Sequence, residues 1–253
     1  MKNLVVMPLG KDSIKSPWLL ESKNRGFDVI CLAYHDPGDL SLDMQSPHYR
    51  VAVFKDFKWV MIRDLFHAEP ELLNQYEHFL FLDDDIEITG DDILNLFWFA
   101  QTNRLQLTQP VLTRDSFKSW KVLRRKLLSG IRYLSTVELM CPLMHRDAIV
   151  ELLPTFALNR SGWGIDILWG ERIRSRFGNR CIAVCDLIRA RHTRPVGKGE
   201  LYAKLGKSAF EERDEIFQQF KLKDNSIYEL PIPENNRMEK IKSYFALRKT
   251  LPY

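Results

Sequence analysis

The sequence has no run approaching the ~20 consecutive apolar residues that a membrane-spanning helix needs. Its first apolar run, Leu4-Val5-Val6-Met7-Pro8-Leu9, is too short for a secretory signal and is closed by Gly10. A cytoplasmic protein is expected. Cysteine is scarce: the four residues Cys31, Cys141, Cys181 and Cys185 are scattered, without the paired spacing of a zinc site. Three of them fall in apolar stretches, which points to buried, reduced thiols. A glycine-rich phosphate loop is missing. Gly10-Lys11-Asp12-Ser13 looks like the end of one, but the earlier glycine is absent. No repeat, no low-complexity tract and no nucleophilic triad is recognisable. Charge of one sign is also modest, at 37 Lys plus Arg against 33 Asp plus Glu and a net +4. That is too mild to signal nucleic-acid binding by itself, and no nucleic-acid partner is expected.

What is present suits one large α/β domain or two small ones: 253 residues with 45% hydrophobic content. Leu4–Leu9, Phe27–Tyr34, Tyr49–Phe54, Phe79–Leu82 and Val137–Met144 read as strands. Ser16–Arg25, Lys58–Phe66, Ile93–Ala100 and Asp147–Leu153 read as helices. A sharp turn is expected over His35-Asp36-Pro37-Gly38-Asp39. The alternation predicts an α/β fold with a mixed, mostly parallel sheet flanked by helices. From Glu200 the character changes, and Leu201, Leu205, Phe210, Ile216, Phe217 and Phe220 suggest a helical C-terminal extension. The expected division is a domain over 1–199 and an extension over 200–253. The basic stretch 114–132 carries Arg114, Lys118, Lys121, Arg124, Arg125, Lys126 and Arg132 against Asp115 alone. It reads as a mobile insertion over a site or as a solvated helix.

Three features can carry chemistry. Asp83-Asp84-Asp85 follows the strand Phe79-Leu80-Phe81-Leu82 directly. Ligands of open α/β sheets bind beyond the carboxyl ends of strands. Adjacent carboxylates repel unless a cation sits among them. Alternation puts Asp83 and Asp85 on one side and Asp84 on the other. Two carboxylates together suit Mn2+ or Mg2+, with positions left for phosphate oxygens. An acidic turn or helix cap would use the same residues. The second feature is Ser161-Gly162-Trp163-Gly164-Ile165-Asp166. Its glycines allow close approach, Trp163 offers a flat face to a sugar ring, and Asp166 could be a base. A turn with a packed Trp ahead of a helix fits equally. The third is the strand Val184–His192, whose His192 could ligate a metal or simply sit polar at a strand end. Arg189, Arg191 and Arg194 beside it could neutralise a diphosphate.

In this order the features resemble GT-A glycosyltransferases. The closer resemblance is to a family of plant and bacterial proteins, long a domain of unknown function, regarded as glycosyltransferases. It covers about residues 28–199, through Ala33-Tyr34-His35-Asp36, Lys58–His67, Phe79–Ile86, Thr108-Gln109-Pro110, Val137–Pro142, Gly162–Asp166 and Val184–His192. The resemblance implies that Pro8 and Asp36 line a nucleotide pocket and that Lys58 and Arg63 face the base or phosphates. It makes Asp83, Asp85 and His192 the metal set, with Asp83 also near the ribose. Trp163 and Gly164 would meet the sugar or acceptor, and Asp166 would be the base of an inverting transfer. The implied partners are a nucleotide-sugar, UDP by default, and a glycan or lipid-linked glycan. Two other classes remain: a nucleotidyltransferase, and a carbohydrate-binding protein without catalysis. The basic stretch and the tail 237–249 suggest an anionic acceptor or peripheral contact with an anionic membrane. The tail is either an interfacial helix or one docked on the domain.

Overall fold

The computed structural model describes residues 2–11, 13–14, 17–20, 26–36, 46, 49–117, 120–196, 205–223 and 226–253. Of the helix expected over 16–25 only Pro17–Leu20 is described, as a single 3-10 turn. Pro37, Gly38 and Asp39 of the expected turn, Lys118, and 197–204 with Leu201 and the 199/200 boundary lie outside the described residues.

The strands are β1 (Lys2–Leu9), β2 (Asp28–Ala33), β3 (Arg50–Val53), β4 (Tyr76–Phe81), β5 (Ile86–Glu87), β6 (Leu107–Leu112), β7 (Ile131–Tyr133), β8 (Leu143–His145) and β9 (Ile182–His192). The helices are α1 (Lys58–Ala68), α2 (Leu72–Gln75), α3 (Gly90–Thr102), α4 (Arg146–Leu152), α5 (Ile165–Phe177), α6 (Ala209–Phe220) and α7 (Arg237–Thr250). One sheet runs β3-β2-β1-β4-β8-β6-β9-β5, with β7 also on β9. The long ladders, β3-β2-β1-β4 and β6-β9, are parallel. The antiparallel ones at β8, β5 and β7 are two or three residue pairs each.

Period-two alternation explains why the inner strands are apolar throughout. Leu4, Val6, Phe79 and Phe81 join a core on one face with α1, α4 and α5. Val5, Met7, Leu80 and Leu82 join a second core on the other face with α3. Each inner strand is thus covered twice. All four cysteines are buried and free. α3 starts where Thr89 accepts from the backbone N–H of Asp92, and Asp91 and Asp92 favour the positive end of the helix dipole.

Two expectations need correction. The strand expected over Val137–Met144 is confined to Leu143–His145. Residues 137–142 follow β4 irregularly, through Phe81 N–H to Pro142 O (2.9 Å) and Asp83 N–H to Met140 O (2.8 Å). Pro142 has no N–H to continue a ladder. The described residues of the basic stretch 114–132 do not form the solvated helix that was one of its two readings. They form a series of short packed pieces: a 3-10 turn at Lys121–Leu123, a bridge from Leu112 to Arg124, and the start of β7. Leu123 and Arg132 are fully buried. Arg132 reaches both oxygens of buried Asp186, at 2.6 and 2.9 Å, so its charge is paired inside rather than solvated. The tail helix α7 docks on β7 and β9 through buried Leu247.

Candidate active site

The three aspartates lie just past β4, where β1 and β2 also end, and each is held differently. Asp83 Oδ1 pairs with the Lys58 ammonium at 2.6 Å. Lys58, the first residue of α1, also donates to the carbonyls of Leu139 (2.7 Å) and Met140 (3.2 Å). Burial raises the Asp83 carboxyl to about 6, Lys58 opposes, and the charges of Asp85 and Asp84 add to the rise. Asp84 turns the other way. Its Oδ2 accepts from Ser13 Oγ (2.5 Å) and Tyr34 OH (2.8 Å), while its carbonyl accepts from Ile14 N–H (2.7 Å). Asp84 therefore ties down the segments after β1 and β2.

Asp85 meets β9. Ile86 pairs with His192 in the β5–β9 ladder, and His192 Nε2 lies 3.1 Å from Asp85 Oδ2. The ring's Nδ1 faces the Phe117 carbonyl at 3.0 Å. Ser116 Oγ accepts from the His192 N–H at 3.2 Å, and the Asp85 carbonyl accepts from Thr193 N–H at 3.0 Å. Burial disfavours the imidazolium. The Asp85 hydrogen bond and charge, with help from Phe117 and Asp83, outweigh it and hold His192 above its ordinary value. When the Nε2 proton leaves, the Nδ1–H bond to Phe117 fixes the tautomer and a lone pair faces the carboxylate. Asp85 and His192 would then both be available as ligands to a divalent cation.

Asp166 sits in the first turn of α5. Gly162 and Gly164 have φ of 81° and 84°, which only glycine adopts without strain. A Cβ on Gly162 would lie 2.8 Å from Leu139 Cδ1 and 3.4 Å from Trp59 Cδ1. Leu139 and Trp59 also contact Lys58, so the Gly-Trp-Gly loop and the aspartate loop share one floor. Asn159 clips the loop, accepting from Gly162 N–H (2.8 Å) and donating to Trp163 O (2.9 Å). Asp166 accepts from Ile167 N–H (3.0 Å), and Thr136 Oγ1 donates to its carbonyl (2.6 Å). Burial pushes its carboxyl up to about 7 against these backbone bonds.

GalNAc-T7 crystallised with UDP, GalNAc and Mn2+ is 10% identical with a TM-score of 0.62, over 86% of this chain and 48% of that one. S. aureus TarS 1-349 in complex with UDP-GlcNAc is 13% identical with a TM-score of 0.56, over 88% and 68%. A mycobacterial protein is 14% identical with a TM-score of 0.53, over 88% and 76%. This chain therefore spans about half the length of GalNAc-T7. The fold is the GT-A fold. No family model and no curated protein matches the sequence.

On the GT-A frame the remaining candidates separate. Pro8 is buried one residue before the end of β1, opposite Leu32 of β2. Asp36 is exposed beyond the end of β2. Arg63 of α1 pairs with its neighbour Asp64 at 2.6 Å, whereas Lys58 reaches Asp83. Trp163 packs edge-on against Phe210 of α6, ring centres 4.8 Å apart. Arg189 and Arg191 do not face the site. On β9 the side chains alternate, His192 turns inward, and both arginines point to solvent. Arg191 is engaged by Glu87 (2.9 Å) and Asp115 (2.8 Å). Several supporting residues escape sequence reasoning: Ser13 and Tyr34 on Asp84, Ser116 and Phe117 on His192, and Glu212 of α6. Glu212 is buried and accepts from Ser161 N–H at 2.7 Å. Only Asn159, three residues before a glycine, carries a local signal, because Asn side chains bond nearby backbone.

Among the described residues no cluster of three or more metal-binding side chains occurs, and Asp83 is committed to Lys58. Asp85 and His192 fit a divalent ion as a two-residue donor set. Mg2+ and Mn2+ sites of that size complete their shells with phosphate oxygens.

Proposed function

We propose that the protein is a metal-dependent glycosyltransferase. It moves a sugar from a nucleotide-sugar, a UDP-sugar in the first instance, to a hydroxyl of a glycan or lipid-linked glycan, with inversion and Asp166 as base. The observation that carries this reading is the Asp85–His192 pair. The two residues come from distant parts of the chain and meet with the ring orientation fixed by Phe117. Asp85 and His192 would hold Mn2+ or Mg2+, with Asp83 nearby. The ion would supply positive charge against the donor's diphosphate.

The rest follows from the side chains. Lys58 keeps Asp83 in place between α1 and β4, which sets the floor of the donor pocket. Pro8 and Asp36 stand where strands β1 and β2 would meet the nucleotide. Arg194, past the end of β9, is the remaining arginine of its cluster for the phosphates. Asp166, poised near 7, takes the acceptor proton as the acceptor oxygen bonds to the anomeric carbon. The bond from that carbon to the diphosphate breaks, and the nucleoside diphosphate leaves with the electron pair. Trp163 stacks on a sugar ring while Gly164 allows close approach.

Calorimetric titration of UDP, GDP and CDP, each with and without Mn2+, tests this. One nucleotide should bind in a Mn2+-dependent way and lose binding in Asp85→Ala. Asp166→Asn should keep donor binding and abolish transfer. Folded protein that binds no nucleotide would overturn the proposal, and a product that keeps the donor's anomeric configuration would overturn inversion.

A further inference from the structure

The basic stretch and the C-terminal helix meet on one surface. From Trp120 to Gly130 the chain carries Lys121, Arg124, Arg125 and Lys126 and no acid. α7 carries the cations of the tail with Glu239 as its one acid. Lys126 and Lys240 both pair with Glu229, one on each carboxylate oxygen. Gly130 N–H donates to Lys240 O, and Ile131 N–H donates to Ser243 Oγ, each at 3.0 Å. A Cβ on Gly130 would lie 2.4 Å from the Ser243 and Tyr244 backbone, so the chain after the 124–128 tip rests directly on the helix.

This surface is apolar as well as cationic. Leu127 is 70% exposed and Leu128 54%, at the tip of a turn anchored from behind by buried Leu123. On α7, Lys240, Ser243, Tyr244 and Leu247 turn toward the body, following helical spacing. Met238 and Phe245, 62% and 54% exposed, share the outer stripe with Lys242 and Lys249. A single exposed leucine needs no explanation. Leu128, however, also holds φ of 53°, the left-handed turn conformation that suits Gly or Asn and strains a leucine. The position thus combines a strained backbone with an apolar side chain in water.

We propose that the 124–128 tip and the outer face of α7 dock the protein on an anionic lipid bilayer. Leu127, Leu128 and Phe245 enter the boundary between headgroups and acyl chains. Arg125 and Lys249 lie against lipid phosphates, with Lys242 beside them sharing its charge with Glu239 (2.6 Å), while Lys126 stays paired with Glu229. Interfacial binding needs both parts, buried apolar area and cationic attraction, and the tip (Leu127, Leu128 with Arg125) and the outer stripe of α7 (Met238, Phe245 with Lys249) each carry both. A second copy of the chain fits less well, since two such faces repel each other. A polyanion such as nucleic acid would use the cations and leave the leucines in water.

The test is co-sedimentation of the full chain with vesicles of phosphatidylcholine alone or mixed with phosphatidylserine, at low and high salt. It needs no nucleotide, so its failure is separate from failure of the transferase reading. Binding to the mixed vesicles at low salt, weakened by salt and absent with phosphatidylcholine alone, is expected. Leu127→Ser with Leu128→Ser should weaken it about tenfold or more while thermal unfolding stays unchanged. Arg125→Gln with Lys249→Gln should weaken it and flatten its salt dependence. No sedimentation with the mixed vesicles overturns the proposal. So does full binding by the double serine variant, or self-association in free solution that those serines abolish.

Discussion

Asp166→Asn offers a test of the candidate base that needs no substrate. Burial raises the Asp166 carboxyl from 3.8 to about 7 in the folded chain. In the unfolded chain it returns to about 3.9. Between these values the folded state binds more protons than the unfolded state, so stability falls as pH rises. The stabilisation is fully present below the unfolded value and is lost as pH climbs through about 7. From pH 5 to pH 8 the loss works out at about 2.6 kcal/mol for the full shift. Partial solvent contact of the side chain trims this to about 2 kcal/mol. Asn cannot ionise, so the variant escapes the loss. Urea unfolding of both proteins at pH 5, 6.5 and 8 should show Asp166→Asn gaining about 2 kcal/mol on the wild type across the series. A difference that stays constant with pH would refute a raised Asp166 carboxyl and remove the physical basis for its role as a base.

The same titration predicts that transfer, measured as kcat/KM, rises about tenfold between pH 6 and pH 8 as Asp166 ionises. Arg132→Met leaves Asp186 buried without its partner and should cost about 3–5 kcal/mol in urea unfolding, with Arg132→Lys recovering only part because one ammonium cannot span both carboxylate oxygens. Burial works to raise the Glu229 carboxyl, but Lys126, Lys240 and Arg132 outweigh it and hold it down at about 2. Its stabilisation is present above its ordinary value of 4.5 and is lost as pH falls through about 2, so Glu229→Gln should destabilise clearly at pH 7 and little at pH 2.5 by thermal unfolding. Gly162→Ala forces a side chain into a left-handed position against Leu139, and calorimetry should show a lowered Tm at a cost of about 1–3 kcal/mol.

The strands β1, β2, β3, β4 and β9 were readable from sequence because their apolar pattern is local, whereas β5, β6 and β7 were not read and β8 was read too long. Phe79-Leu80-Phe81-Leu82 is apolar at every position, and an inner strand covered on both faces needs that pattern. Asp83-Asp84-Asp85 declares itself at the strand's end, and Gly162 and Gly164 mark a backbone that other residues could not follow without strain. Strand alternation does not govern the directions of the three aspartates, because Asp84 and Asp85 lie in a turn beyond β4 and each carboxylate takes its own partner: Asp83 Lys58, Asp84 Ser13 and Tyr34, Asp85 His192.

Pairings between distant segments were decided only by the tertiary structure. Arg132 and Asp186 look like two ordinary surface charges until β7 is laid beside β9. Arg189 and Arg191 seem well placed beside His192, yet the period of the strand sends them to the opposite side. Lys58 finds Asp83, Asp85 finds His192, and Glu212 finds Ser161 through the packing of α1, β9 and α6. A residue's conformational preference and apolar character belong to its own stretch of chain. The partner of a charge is set by which elements the whole fold brings together, and the energy of each pairing exists only once burial has removed the water between them.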